Sequence, residues 1–126
     1  MANSDSVLRG GLTSKHVDIK KFLETVSFNE YKKNIILPEL ISESEVVYKT
    51  PAEEFELSKI VLKKNKVQIT QRSAEILLCT SGYIYVKDLN GNTLNLSKGD
   101  SIFVPEYVKK YFLEGEAEIY RASVPD

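Results

Sequence analysis

A chain of 126 residues, 42% of them hydrophobic and 28% charged, has the size and balance of one globular domain with a single core. Its 17 basic and 18 acidic residues leave a net charge of −1, which gives no field to gather nucleic acid or an anionic membrane. No apolar run approaches the ~18 residues that cross a bilayer. One cysteine, Cys79, excludes an intrachain disulfide. The start, MANSDSVLRGG, lacks the basic and apolar stretches of a secretory signal, so the expected setting is the reducing cytoplasm.

Residues 1–17 are rich in Asn, Ser, Asp, Gly and Thr and keep neither a strand nor a helix period, which is loop composition. Asp18 then suits a helix N-cap. Ile19, Phe22, Leu23 and Val26 recur at i, i+3, i+4 and i+7 as the apolar stripe of one short helix ending near Phe28. Residues 29–44 are expected to be an irregular connection, because Pro38 disfavours helix at Leu37. The organisation is a loop leader over 1–17, a short helix and connection over 18–44, and a β region over 45–126.

From Glu45 the pattern is one of short strands: EVVYK, FELSKIVL, KVQIT, EILLCT, YIYVKD, TLNL, SIFV, KYFL and AEIYRA. Lys64-Asn65, Ser81-Gly82, Asn90-Gly91-Asn92, Lys98-Gly99-Asp100 and Glu114-Gly115-Glu116 are expected to separate them as turns. Asn90-Gly91 is the strongest hairpin signal and predicts a type I′ turn with positive φ at both residues. Eight or nine short strands without an intervening helix predict a jelly-roll barrel. The basic pairs Lys20-Lys21, Lys32-Lys33, Lys63-Lys64 and Lys109-Lys110 have acidic neighbours and read as solvated faces.

Two spacings within the strands carry a resemblance. Glu75 is followed after six residues by Gly82, and Gly99-Asp100 precedes Pro105 in GDSIFVP. Together they resemble the two motifs of the cupins, small jelly-roll barrels. A metal-binding cupin adds His-x-His upstream of the Glu and another His after the Pro, so that imidazoles and a carboxylate converge on the ion. Here those slots fall among Gln68, Ile69, Thr70 and Gln71, and near Lys110, so no metal site is expected in the barrel. The one histidine, His16, lies in the loop region and reads as a surface residue. Cys79, within Ile76-Leu77-Leu78-Cys79, reads as a small buried hydrophobe. Neither a Ser-His-Asp nor a Cys-His arrangement is supported.

The stretch NSDSVLRGGLTSKHVDIKKFLETVSF is similar to a signature of the type I mannose-6-phosphate isomerases. That signature reads Ser-Asp-Asn, two residues, Arg-Ala/Gly-Gly-Leu-Thr-Pro-Lys, an aromatic residue and Ile/Val-Asp. QRSAEILLCTSGYIYV, LSKGDSIFVPE and AEIYRASV also resemble the carboxy-terminal domain of that family. Ser6 departs from its usual Asn, Ser14 from its Pro and His16 from its aromatic. Loss of the proline loosens the loop by widening the unfolded ensemble.

The resemblance implies a mainly β, cupin-like jelly-roll barrel preceded by a loop and one short helix. It implies a parent enzyme that interconverts mannose 6-phosphate and fructose 6-phosphate with zinc held by Gln, Glu and two His, all upstream of this signature. The chain itself is then expected to be a domain fragment without metal or cofactor, inactive alone. Its partners would be the upstream metal-binding catalytic domain and the sugar phosphate substrate. Asp5 and Arg9 are implied as catalytic residues at the active-site edge, and Lys15 as a substrate-binding one. Proton movement between C1 and C2 passes through an enediolate, whose charge Arg9 is suited to stabilise, or it could grip phosphate through its planar fork. Asp5 is suited to hold Arg9 or to move protons between sugar oxygens. Gly10 and Gly11 would let the backbone approach a ligand.

Two other readings stand beside this one. The first is a metal-free cupin module that binds a sugar or sugar phosphate among Tyr83, Tyr85, Tyr107 and Tyr120. The second is a structural domain that assembles subunits through an exposed barrel face. Composition alone makes Asp5 and Arg9 an exposed ion pair in a leader segment.

Overall fold

Asp18 opens a helix, α1 (Ile19–Thr25), because its carboxylate accepts a hydrogen bond from Lys21 N at 3.0 Å and satisfies a first-turn amide. The helix closes at Val26, whose backbone turns extended while its N–H still donates to Phe22 O. None of its residues is buried. The computed structural model describes residues 7–29 and 35–125, and the chain falls into two compact units, 1–34 and 35–126. All the strands belong to the second unit.

Seven antiparallel strands form one sheet: β1 (Glu39–Ser42), β2 (Glu45–Tyr48), β3 (Glu56–Thr70), β4 (Glu75–Asp88), β5 (Thr93–Ser97), β6 (Ser101–Val104) and β7 (Lys110–Ser123). Their order is β1-β2-β3-β7-β4-β5, and β6 pairs with the first half of β4. Part of the connection expected to be irregular is therefore a strand. Pro38 stops a helix there but leaves the extended backbone of β1 free to pair with β2.

The strands are fewer and longer than the turn signals suggest. Lys64-Asn65, Ser81-Gly82 and Glu114-Gly115-Glu116 do not end strands; they bend them. Register slips between Lys63 and Asn65 on β3 and between Cys79 and Ser81 on β4. Lys64 sits at φ 59° in the first bulge, where Asn65 Oδ1 accepts from Lys63 N at 2.8 Å. Each bulge reverses the inward parity. On β3 the buried side chains are Ser58, Ile60 and Leu62 before it and Ile69 after it. On β4 they are Glu75, Leu77 and Cys79 before, and Ile84 and Val86 after. On β7, Tyr111, Leu113, Ala117 and Ile119 keep one parity throughout.

The sheet thus folds over at one level. Its first half is β1, β2, the start of β3, the end of β7, the start of β4, and β6. Its second half is the end of β3, the start of β7, the end of β4, and β5. Ile60, Leu77, Val104 and Ile119 from one half meet Ile69, Ile84, Leu96 and Leu113 from the other in a single apolar core. This is the cupin-like jelly roll the motifs imply.

Three further turns show the local chemistry. Between β4 and β5 only Gly91 has positive φ, 89°, so the hairpin is not a type I′ turn. The Asp88 carboxylate instead organises a four-residue loop by accepting from Asn92 N and Nδ2 at 2.8 and 2.7 Å. In the Gly-Asp motif, Gly99 adopts φ 96° and donates to Cys79 O, while Asp100 Oδ2 accepts from Ser97 N at 2.9 Å. Pro105 caps a 3₁₀ turn (Glu106–Val108) that returns the chain into β7.

Candidate functional site

Of the residues implied as catalytic, Asp5 lies outside the described residues. Arg9 is half-buried and Lys15 exposed, both in irregular backbone ahead of α1. Lys15 N donates to Thr13 Oγ1 at 3.2 Å, a local turn. Gly10 has a different neighbour from the one expected. A β-carbon there would collide with the Phe22 ring, so Gly10 is pressed against α1. A β-carbon on Gly11 would meet nothing within 4 Å. His16 is exposed, as its loop position suggests.

Inside the barrel the Glu of the first cupin motif has a partner that sequence reasoning passed over. Arg121, on β7 between β3 and β4, directs its guanidinium inward. Its Nη2 lies 2.7 Å from Glu45 Oε1, its Nη1 3.4 Å from Glu75 Oε1, and its Nε donates to Ser58 Oγ at 3.2 Å. Ser58 also donates to Glu45, and Tyr111 donates to Glu75 Oε2 at 2.7 Å. Glu75 is 2% exposed and Glu45 8%. Burial pushes the Glu75 carboxyl above its ordinary range; the bonds from Tyr111 and Arg121 act against that, and Glu45 adds to it. Burial, and then the charge of Glu75, drives the Tyr111 hydroxyl upward.

Parity holds the signal that would have found this cluster. Arg121 lies two residues after the inward Ile119, and Glu45 two before the inward Val47, so both charges fall on core positions. Each guanidinium nitrogen thus faces a protein group, and the cluster is a brace across four strands.

A metal does not fit here. The Glu75 carboxylate is already engaged by a cation and a phenol. Gln71, in a slot where a metal-binding cupin keeps histidine, is buried with Nε2 donating to Val104 O at 2.8 Å. Its Oε1 has no hydrogen-bond partner, but one amide oxygen does not make a coordination shell. Among the described residues no group of three or more His, Cys, Asp or Glu is placed to hold an ion.

The tyrosines of the sugar-binding reading do not gather in the barrel. Tyr83 and Tyr85 have the outward parity of β4 and stack edge to face at 6.1 Å beside Lys64 and Glu114. Tyr107 is exposed in the 3₁₀ turn, and Tyr120 lies on the outer face of β7. A hollow lined by Val86, Leu94, Ile102, Val104, Val108 and Tyr111 includes none of the four. Cys79 is buried, its thiol raised by burial and donating to Ser81 O at 3.4 Å, as a small core residue.

Comparison with known proteins agrees with this architecture. Mannose-6-phosphate isomerase from Escherichia coli (strain K12) is 31% identical over 122 residues, 96% of this chain and 31% of that protein. Probable mannose-6-phosphate isomerase from Dictyostelium discoideum is 28% identical over 98% of the chain and 30% of its own length. The structure of mannose 6-phosphate isomerase from Salmonella typhimurium bound to substrate (f6p) and zinc superposes with TM-score 0.83 at 30% identity, over 100% of this chain and 32% of that one. The chain spans about a third of the length of these relatives. The model of the mannose-6-phosphate isomerase cupin domain matches residues 44–124, the span that forms the barrel from β2 to the end of β7, and the chain belongs to that family.

Proposed function

We propose that this chain is the cupin portion of a zinc-dependent mannose-6-phosphate isomerase and does not turn over substrate by itself. The observation that carries the reading is the match of 44–124 to the isomerase cupin domain, in a chain that covers 31% of its Escherichia coli relative. A barrel whose motif carboxylate is engaged by Tyr111 and Arg121 supports the second half of the statement, since it leaves metal chemistry to the rest of the enzyme. The reading includes a cytoplasmic setting, in keeping with one buried thiol.

In the complete enzyme the loop before α1 contributes Asp5, Arg9 and Lys15 at the edge of the site. Aldose–ketose interconversion moves a proton between C1 and C2 and builds negative charge on the sugar oxygens. Arg9 presents a permanently charged planar fork to that charge or to the phosphate. Asp5 orients Arg9 or relays a proton between oxygens. Lys15 adds a mobile positive charge for the phosphate.

The test is conversion of mannose 6-phosphate to fructose 6-phosphate by the purified chain, with and without zinc, after a cooperative melt has established folding. The expected result is no turnover in either condition, and turnover by the complete polypeptide. Zinc-dependent turnover by the 126-residue chain alone would overturn the division of labour.

A further inference from the structure

The outer surface of the barrel is divided by chemistry. Around the second half of the sheet the outward residues include many charges, with Lys66, Lys87, Glu114 and Glu116 all exposed beside the Tyr83–Tyr85 pair. The first half differs. Cross-strand register sets Tyr48, Leu57, Ala122, Ile76 and Phe103 side by side in one row across β2, β3, β7, β4 and β6. The next row adds Val46, Tyr120 and Leu78. Its one charge, Lys59, is neutralised by Glu118 at 2.6 Å and lies over the Tyr120 ring. Phe103 is 64% exposed, Ile76 50% and Leu78 40%. Five strands at about 4.8 Å spacing make a face roughly 20 Å wide, broader than one helix and suited to a second sheet or a helix pair.

Such a contiguous apolar face marks a surface that is covered in the working protein. Its charge excludes the partners that need basic residues, since the single lysine is already paired. The amount of protein available to cover it follows from length: the chain accounts for 31% of its Escherichia coli relative. We propose that this face, centred on Ile76 and Phe103, is where the remaining two-thirds of the isomerase packs, through an uncharged apolar surface of its own. The inference rests on the reading of the chain as the cupin portion of a longer isomerase.

The experiment compares thiol labelling of Phe103→Cys, Ile76→Cys and Lys87→Cys in the isolated chain and in the complete polypeptide. Each variant is first checked for a native-like melt. At 103 and 76 a maleimide is expected to react roughly 100-fold more slowly in the complete polypeptide, because labelling then waits on local opening. Lys87→Cys, on the charged half, is expected to react at the same rate in both. Equal rates at 103 and 76 in the two forms overturn the proposal. So does slow labelling in the isolated chain when sedimentation shows a dimer, which would assign the face to a second copy. Isomerase turnover of the complete polypeptide is read separately: its absence counts against the enzyme reading, while the labelling still reports whether the face is covered.

Discussion

Within the barrel, one guanidinium sits between two carboxylates, and the arithmetic of charge leaves that cluster with an unpaired negative unit when both are ionised. Removing Arg121 leaves two buried carboxylates uncompensated, a change that in comparable clusters costs about 3 kcal/mol or more. Arg121→Met is expected to lower the melting temperature of the chain by roughly 10–20 °C at neutral pH, measured by calorimetry. The excess charge also sets a pH dependence. Glu75 titrates above its ordinary 4.5 in the folded state, chiefly through burial, so just above that pH the folded barrel holds a proton that the unfolded chain has released. Its contribution favours folding at low pH and is lost as pH rises through the folded value. Glu118 and Asp88 act in the opposite sense. Lys59 and Asn92 hold them below their ordinary 4.5 and 3.8, and the stability they give is lost as pH falls. Glu75→Gln removes the first effect and leaves the other two. The melting temperature of the variant minus that of the native chain should therefore grow more positive as pH rises above the ordinary 4.5. A difference that shrinks instead would mean that the carboxylate is favoured inside the barrel. For the enzymatic reading, Arg9→Ala in the complete polypeptide is expected to lower kcat/KM about 100-fold, on the order of 3 kcal/mol of charge stabilisation. Unchanged kcat/KM would remove Arg9 from the site.

At the scale of elements, the shape of the barrel is made where three strands bend together. Gly82 has φ 76°, and a β-carbon there would collide with the Glu116 carbonyl oxygen. Gly115, at φ 147°, is pressed against the Tyr83 carbonyl from the other side of the same ladder. The Glu–Gly spacing of the first cupin motif thus runs from the inner brace at Glu75 to the corner at Gly82. Gly82→Ala is expected to cost more than about 2 kcal/mol, since neither backbone can withdraw without breaking the β4–β7 ladder. Gly91→Ala, with positive φ but open space around it, should cost about 1 kcal/mol. Urea midpoints of the two variants compare them directly, and similar losses would mean that φ alone, rather than the close strand approach, fixes the glycine. The sequence showed these glycines and misread their use. A glycine beside polar residues marks a break in strand periodicity, and a break is equally a turn or a bulge until the partner strand is known.

For the whole molecule, topology governs how the parts come together. The central ladder pairs Glu56 with Ser123 and Lys66 with Glu114, so the ends of β3 and β7 find each other across most of the barrel sequence. Loop closure of that size precedes any gain from pairing, and the chain is expected to refold in milliseconds to seconds rather than microseconds by stopped-flow fluorescence of its tyrosines. Composition, periodicity and two motif spacings were enough for the sequence to determine a mainly β jelly roll, an N-cap at Asp18 and a buried Cys79, and the resemblance of the Arg-Gly-Gly-Leu-Thr stretch to a known signature pointed to the isomerase family. Each depends on neighbours along the chain or on a fixed spacing, which a single sequence contains. Tertiary structure alone decided that the eight or nine short strands expected from Glu45 onward join into six, that Glu75 is braced by Arg121, and that an apolar face runs across five strands. Those features come from pairing between residues far apart in the chain: register chooses which side chains share a face, and no local pattern records the register.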